Sequence, residues 1–306
     1  MNGTLYSIRK LIAVLIIAVF FIGVRPNGAQ QHNVLDEENC RLNAFIASDS
    51  HIEGNQPERL SNFGRMLRDI KNTKTQNDAV VFLGDNTMNG QNIESMLFYG
   101  ALSNISPAKQ TIVALGNHDV GNGEGDFNEL SQRYYAYNNM FFDAGLSKPY
   151  FYKIINGYYF IVLGTESSTS NSFDMSDEQL EFLKETLKIA TADGKPVFIF
   201  SHYPFEFITG ANRLAVPLLL STYKNVFYIY GHMHAALNPG SVQRYNTIRT
   251  VSVPMFTSIN ANDETGEDRG VGFALEVYDD KVVLRARDCY DGKWLDNYSY
   301  SFPIEK

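Results

Sequence analysis

The sequence is short of cysteine, of positive charge, of long apolar runs and of histidine, and each shortage narrows what the chain can do. Two cysteines, Cys40 and Cys289, stand in 306 residues, in neither a CxxC nor a metal-like spacing. That excludes a disulfide-dense scaffold and a thiolate-built metal site. One bridge between them, or two free thiols, are the readings left open. Lys and Arg number 26 against 34 Asp and Glu, for a net charge of −8. An acidic chain does not concentrate phosphate polyanions over its surface, so a nuclease of long nucleic acid is not expected. The longest apolar run, Leu11–Val24, is 14 residues, short of the about 20 a spanning helix needs. Internal repeats and low-complexity segments are absent.

That run has another meaning. Arg9 and Lys10 precede it, and Asn27-Gly28-Ala29 follow it. A positive start, an apolar centre and small residues behind make an export signal over residues 1–29. Its cleavage would place the protein in the periplasm or outside the cell, with no stable membrane span. An uncleaved membrane anchor is the alternative. Removing these residues takes away three positive charges and no acids, so −8 becomes −11. A polar linker over 30–41 and a folded domain over 42–306 follow.

Within that domain, apolar runs alternate with helix-spaced segments. Leu42–Ala47, Ala79–Leu83 and Thr111–Leu115 read as strands, with helices over Pro57–Ile70 and Asn92–Ser103 between them. This is the signature of a mainly parallel sheet. Asn156-Gly157 marks a hairpin between Tyr150–Ile155 and Tyr158–Leu163. A helix from Ser176 to Ala190 leads to further strands at Pro196–Phe200 and Val226–Tyr230, and several β-rich segments close the chain. The class expected is α/β, a two-layer β-sandwich with helices outside.

Histidine is scarce at six, yet five of the six fall in four short clusters, each behind an apolar strand. These are Asp49-Ser50-His51, Gly116-Asn117-His118-Asp119, Ser201-His202 and Gly231-His232-Met233-His234. Gly84-Asp85 adds a carboxylate in the same setting. Sites in open α/β sheets form beyond the carboxyl ends of the strands, so five distant stretches are expected to meet at one edge. Imidazole and carboxylate together suit Zn, Fe and Mn. A carboxylate can bridge two cations, and Asp85 is the candidate. Asp-x-His is expected to leave its strand in an extended segment, with both side chains on one side. Gly231 is expected to permit a tight turn.

These five blocks, in this order, resemble the calcineurin-like metallophosphoesterase superfamily. The resemblance covers about residues 43–290 and implies a four-layer αββα fold. It implies that Asp49, His51 and His234 hold one transition metal, that Asn117, His202 and His232 hold a second, and that Asp85 bridges them. It implies in-line hydrolysis of small-molecule phosphate mono- or diesters by a hydroxide between the metals. His118 would protonate the leaving oxygen, and Asp119 would orient His118. Many members carry Gly-Asp-x-x-Asp, whereas Met88 ends that block here. Met88 and His51 speak against the purple acid phosphatase branch, and the pattern resembles class III cyclic-nucleotide phosphodiesterases more. A phospholipid or sphingolipid phosphodiesterase and a non-catalytic metal-binding module are the alternatives. Asn86, Asn89, Tyr203–Phe205 and the aromatic helix Tyr134–Phe142 are further candidates for lining the site. Arg213, Arg244 and Arg269 are candidates for phosphate contact.

Overall fold

The computed structural model describes residues 33–72, 75–256 and 270–306. The expected export segment, His32 and Arg269 lie outside these residues. Twelve strands are described: β1 (Leu42–Ala47), β2 (Asn77–Phe82), β3 (Ala108–Val113), β4 (Phe151–Ile155), β5 (Tyr158–Leu163), β6 (Val197–Ser201), β7 (Val226–Tyr230), β8 (Val242–Tyr245), β9 (Ile248–Ser252), β10 (Val271–Val277), β11 (Lys281–Asp288) and β12 (Lys293–Pro303). Five helices accompany them: α1 (Pro57–Lys71), α2 (Asn92–Ile105), α3 (Phe127–Phe142), α4 (Asp177–Ala190) and α5 (Asn212–Ser221).

The strands form two six-stranded sheets, ordered β12-β11-β10-β1-β2-β3 and β4-β5-β6-β7-β9-β8. β1, β2 and β3 run parallel, as do β5, β6, β7 and β9. Strands covered on both faces need apolar residues at every position rather than at alternate ones. That is why LNAFIA in β1 and VFIFS in β6 are buried throughout. Three apolar layers follow. One lies between the sheets, one under α1–α3 and one under α4 and α5. The order is αββα, an α/β fold.

Local signals account for most element ends. Pro57 opens α1, where its missing N–H costs nothing. Asp126 caps α3 by accepting from Asn128 and Glu129. Asn156 and Gly157 both adopt positive φ, as their hairpin turn requires. Ser176 caps α4, but the side chain of Gln179 turns away to bridge Gly164 instead of closing a capping box. Helix α5 was not anticipated, because Pro217 interrupts its pattern. The aromatic helix α3 is core: Tyr134, Tyr135, Tyr137 and Phe141 are buried beneath it.

Topology separates the two cysteines. Arg41, next to Cys40, bonds to Val277 at the end of β10, and Cys289 bonds to Gly270 ahead of its start. Seven residues of strand at about 3.4 Å each lie between, far beyond the roughly 7 Å that a disulfide allows. Both thiols are free. The supposed linker is also tied down. Arg285 donates to the Asn33 carbonyl, and Leu35 donates to Glu276.

One buried ion pair joins α1 to the first sheet. Arg287 is fully buried and grips both carboxylate oxygens of Asp69 at 2.7 Å. Asp69→Ala would leave the guanidinium without its carboxylate, so urea unfolding should show a loss of about 3–5 kcal/mol.

Candidate metal centre

Five parallel strands deliver the site. β1, β2 and β3 of the first sheet end just before Asp49, Asp85 and Asn117, and β6 and β7 of the second end just before His202 and His232. The site therefore sits across one end of the sandwich, where both sheets contribute. All nine residues singled out from the sequence for catalysis or metal binding meet there.

The chain turns sharply to bring them together. Asp49, His51, Asp85, His232 and His234 all have positive φ, between 42° and 66°. Such backbone costs of order 1–3 kcal/mol per residue and persists only where the surroundings enforce it. The extended Asp-x-His geometry is thus corrected to two left-handed turns. Main-chain bonds hold them: Asp49 to Gly84, His51 to Asp85 and Ile52 to Asn86. Arg59 adds a bond from its guanidinium to the His51 carbonyl at 2.9 Å.

Glycines set how closely the strand ends approach. A Cβ on Gly116 would lie 2.2 Å from the Asp85 amide nitrogen. One on Gly231 would lie 1.8 Å from Ser48 Oγ and 2.5 Å from Asp49 Oδ2. Gly231 opens the expected tight turn, its carbonyl accepting the Met233 N–H, and its lack of a side chain also permits the close approach. Gly84 meets both demands, with φ of 108° and its absent Cβ 2.9 Å from that of His202.

The donor atoms fall into two groups that share Asp85. The ligand atoms of Asp49, His51, Asp85 and His234 all lie within 4.8 Å of one another, as do those of Asp85, His202 and His232. Asn117 joins the second group, its Oδ1 2.9 Å from His202 Nε2 and 3.1 Å from His232 Nδ1. Asn122 accepts the Asn117 amide N–H and so turns that oxygen toward the histidines. Imidazole nitrogens face each other at 3.0 Å (His51 and His234) and 3.1 Å (His202 and His232). Two such nitrogens can share at most one proton, whereas a cation satisfies both. The donor set therefore fits two cations.

Charge and burial compete here. Burial pushes the carboxyl of Asp85 up, but the neighbouring His202 and His51 hold it well below the usual carboxylate range. Burial drives His202 down, and Asp85 and Asp49 more than reverse this, to about 9. His51 has burial as its main influence and falls to about 4. His232 also falls to about 4, through burial and then the charge of His202.

Asp119 does not orient His118. Its carboxylate accepts from the backbone N–H groups of Asn86, Thr87 and Gly116 and from the side chains of Asn86 and Thr87. These bonds knot the Asp85 and Asn117 blocks together. Burial, reinforced by the charge of Asp85, still pushes its carboxyl up to about 6. The ring of His118 is held instead by the Met88 carbonyl, 2.7 Å from Nδ1. His118 is half-buried and packs edge-on against His51 at 4.6 Å. Asn86 thus has a structural role, and Asn89 donates its backbone and side-chain N–H groups to Glu94 in the first turn of α2, which Gln91 caps. Tyr203 packs on His202 and His232. Arg59 and Asn122 carried no pattern of their own in the sequence.

Elemental analysis of purified protein should find two metal ions per chain. Gly231→Ala should displace Asp49 and lower that number while far-UV circular dichroism is retained.

The Calcineurin-like phosphoesterase profile matches residues 42–236. No curated protein sequence matches the chain. Among solved structures, a purple acid phosphatase from yellow lupin (Lupinus luteus) seeds is similar at a TM-score of 0.59 and 16% identity, over 86% of this chain and 53% of that one. The chain thus spans about half of the lupin protein. A dimetal phosphatase from Danio rerio is similar at 0.58 and 13%, over 87% of this chain and 100% of that one. At these identities the likeness is one of fold. With the profile spanning most of the chain and the paired ligand groups in place, the protein belongs to the calcineurin-like phosphoesterase family.

Proposed function

We propose that this chain is an exported hydrolase of small-molecule phosphate esters that works with two transition-metal ions, Mn, Fe or Zn. The observation that carries the reading is the complete donor set, split into two groups sharing Asp85, with half-buried His118 beside it. A module that had abandoned catalysis would be under no constraint to keep every ligand and the acid together. Export rests on the residue pattern of 1–29 alone.

Asp49, His51 and His234 would hold one ion, Asn117, His202 and His232 the other, with Asp85 between. Bound there, the ions would neutralise charge on the phosphoryl oxygens and make water a nucleophile near neutral pH. The remaining work falls to protein groups. The Met88 carbonyl accepts the Nδ1 proton of His118. As an imidazolium, His118 carries its second proton on Nε2, the nitrogen that can hand it to the departing ester oxygen. As the ester P–O bond breaks, the water oxygen forms the new P–O bond, the alcohol leaves with the proton from His118, and the proton the water gives up to solvent is matched by the one that returns to His118. The buried walls around Asp85 strengthen each of these electrostatic contacts.

His118→Asn should keep both metals by elemental analysis yet lose about 10²–10⁴-fold in kcat. The loss should be larger for an alkyl ester, whose alkoxide needs the proton, than for a nitrophenyl ester. Full activity in this variant would remove His118 from the acid role.

A further inference from the structure

We propose that the centre acts on phosphodiesters, and that a cleft beside Phe207 holds the ester arm that stays on phosphorus. The inference rests on the phosphoesterase reading and narrows its substrate. Two flanks of the centre differ. On the first, the ring of His118 stands 4.6 Å from that of His51. On the other, the ring of Phe207 stands edge-on to His232 at 5.2 Å. The leaving oxygen belongs on the first flank, with its proton donor. A group that remains attached to phosphorus can then reach the second.

The second flank is built to receive something flat. Phe173, Tyr203 and Phe207 form a stack, with ring centres 5.8 and 6.2 Å apart and planes within 26°. Phe207 ends this stack half-buried and lines a cleft of about 490 Å³. Asn171, Ser172, Thr209 and Arg213 supply polar groups around the cleft, with Glu206 at its edge. That volume suits a small-molecule arm. An aromatic ring entering it would extend the stack by one member.

The wall is fixed in advance. Phe173 donates to the Phe207 carbonyl at 2.8 Å, Thr209 donates to the Phe173 carbonyl at 3.1 Å, and Thr209 Oγ1 donates to Asp174. Tyr203 is pinned through its hydroxyl to the Thr169 carbonyl. A preformed surface loses little freedom on binding. A monoester has only oxygens to place on this flank, whereas a diester with a planar second arm uses the whole wall.

Three probes with one leaving group isolate the arm: bis(4-nitrophenyl) phosphate, methyl 4-nitrophenyl phosphate and 4-nitrophenyl phosphate. Wild-type protein with its metals should show the lowest KM for the first. Phe207→Leu should raise that KM roughly tenfold or more relative to the methyl ester, as loss of one stacking partner does. Phe207→Tyr, which keeps the stack, should restore it. Metal content and Tm of each variant report whether the site and fold survive. An unchanged KM ratio in a folded, metal-loaded Phe207→Leu overturns the proposal. So does wild-type protein that cleaves only the monoester, which leaves the phosphoesterase reading standing. If the metal-loaded wild type cleaves none of the three, both fall together.

Discussion

The buried carboxylate of Asp85 is the constraint around which the molecule is arranged. A charge enclosed at the end of two sheets is costly unless it is met on every side. Its Oδ1 accepts the backbone N–H of His118 at 2.8 Å, and its Oδ2 lies 3.2 Å from His202 and 3.8 Å from His51. These partners come from three different strand ends in two different sheets. To reach them the chain must pass so closely that Gly84 and Gly116 admit no side chain, and Gly231 admits none beside Ser48 and Asp49. Strand ends, glycines and left-handed turns follow from meeting one carboxylate.

The same convergence explains why the site is rigid and strained together. Five site residues sit in left-handed backbone; main-chain bonds between strand ends hold Asp49, His51 and Asp85, Arg59 braces His51, and the Asp49 carboxylate accepts the backbone N–H of His232. The apolar layers on either side supply the stability that tolerates this, and the Asp69–Arg287 pair fastens α1 against the first sheet. The Met88 carbonyl takes over the task of holding His118, and Asp119 is thereby freed to tie two loops together. The division leaves a site whose deep donors are enclosed and whose acid, His118, is half open to a substrate.

Much of this was legible in advance because it depends on local rules. Strands buried on both faces show as unbroken apolar runs, and Asn156-Gly157 can hardly be other than a hairpin turn. Histidine and aspartate behind such strands mark the one sheet edge where ligands gather. What escaped notice lacked any periodic or compositional mark. Helix α5 contains Pro217, Asn122 is one asparagine among many, and Arg59 and Phe207 act through contacts with residues far away in sequence. Cys40 and Cys289 looked joinable until β10 was seen to hold them at opposite ends.

The sequence by itself determined the αββα class, the strand ends that carry the chemistry and the nine residues that meet there. Those follow from hydrophobic patterning and from which side chains can bind cations. The division of the donors into two groups was implied by the family resemblance, whereas tertiary structure alone decided which carbonyl holds His118, what Asp119 does and where an aromatic stack borders the centre. Each of these depends on side chains from separate strands approaching within a few ångströms. Such distances are set by sheet order, strand register and the absence of Cβ atoms at three glycines, and no local stretch of residues encodes them.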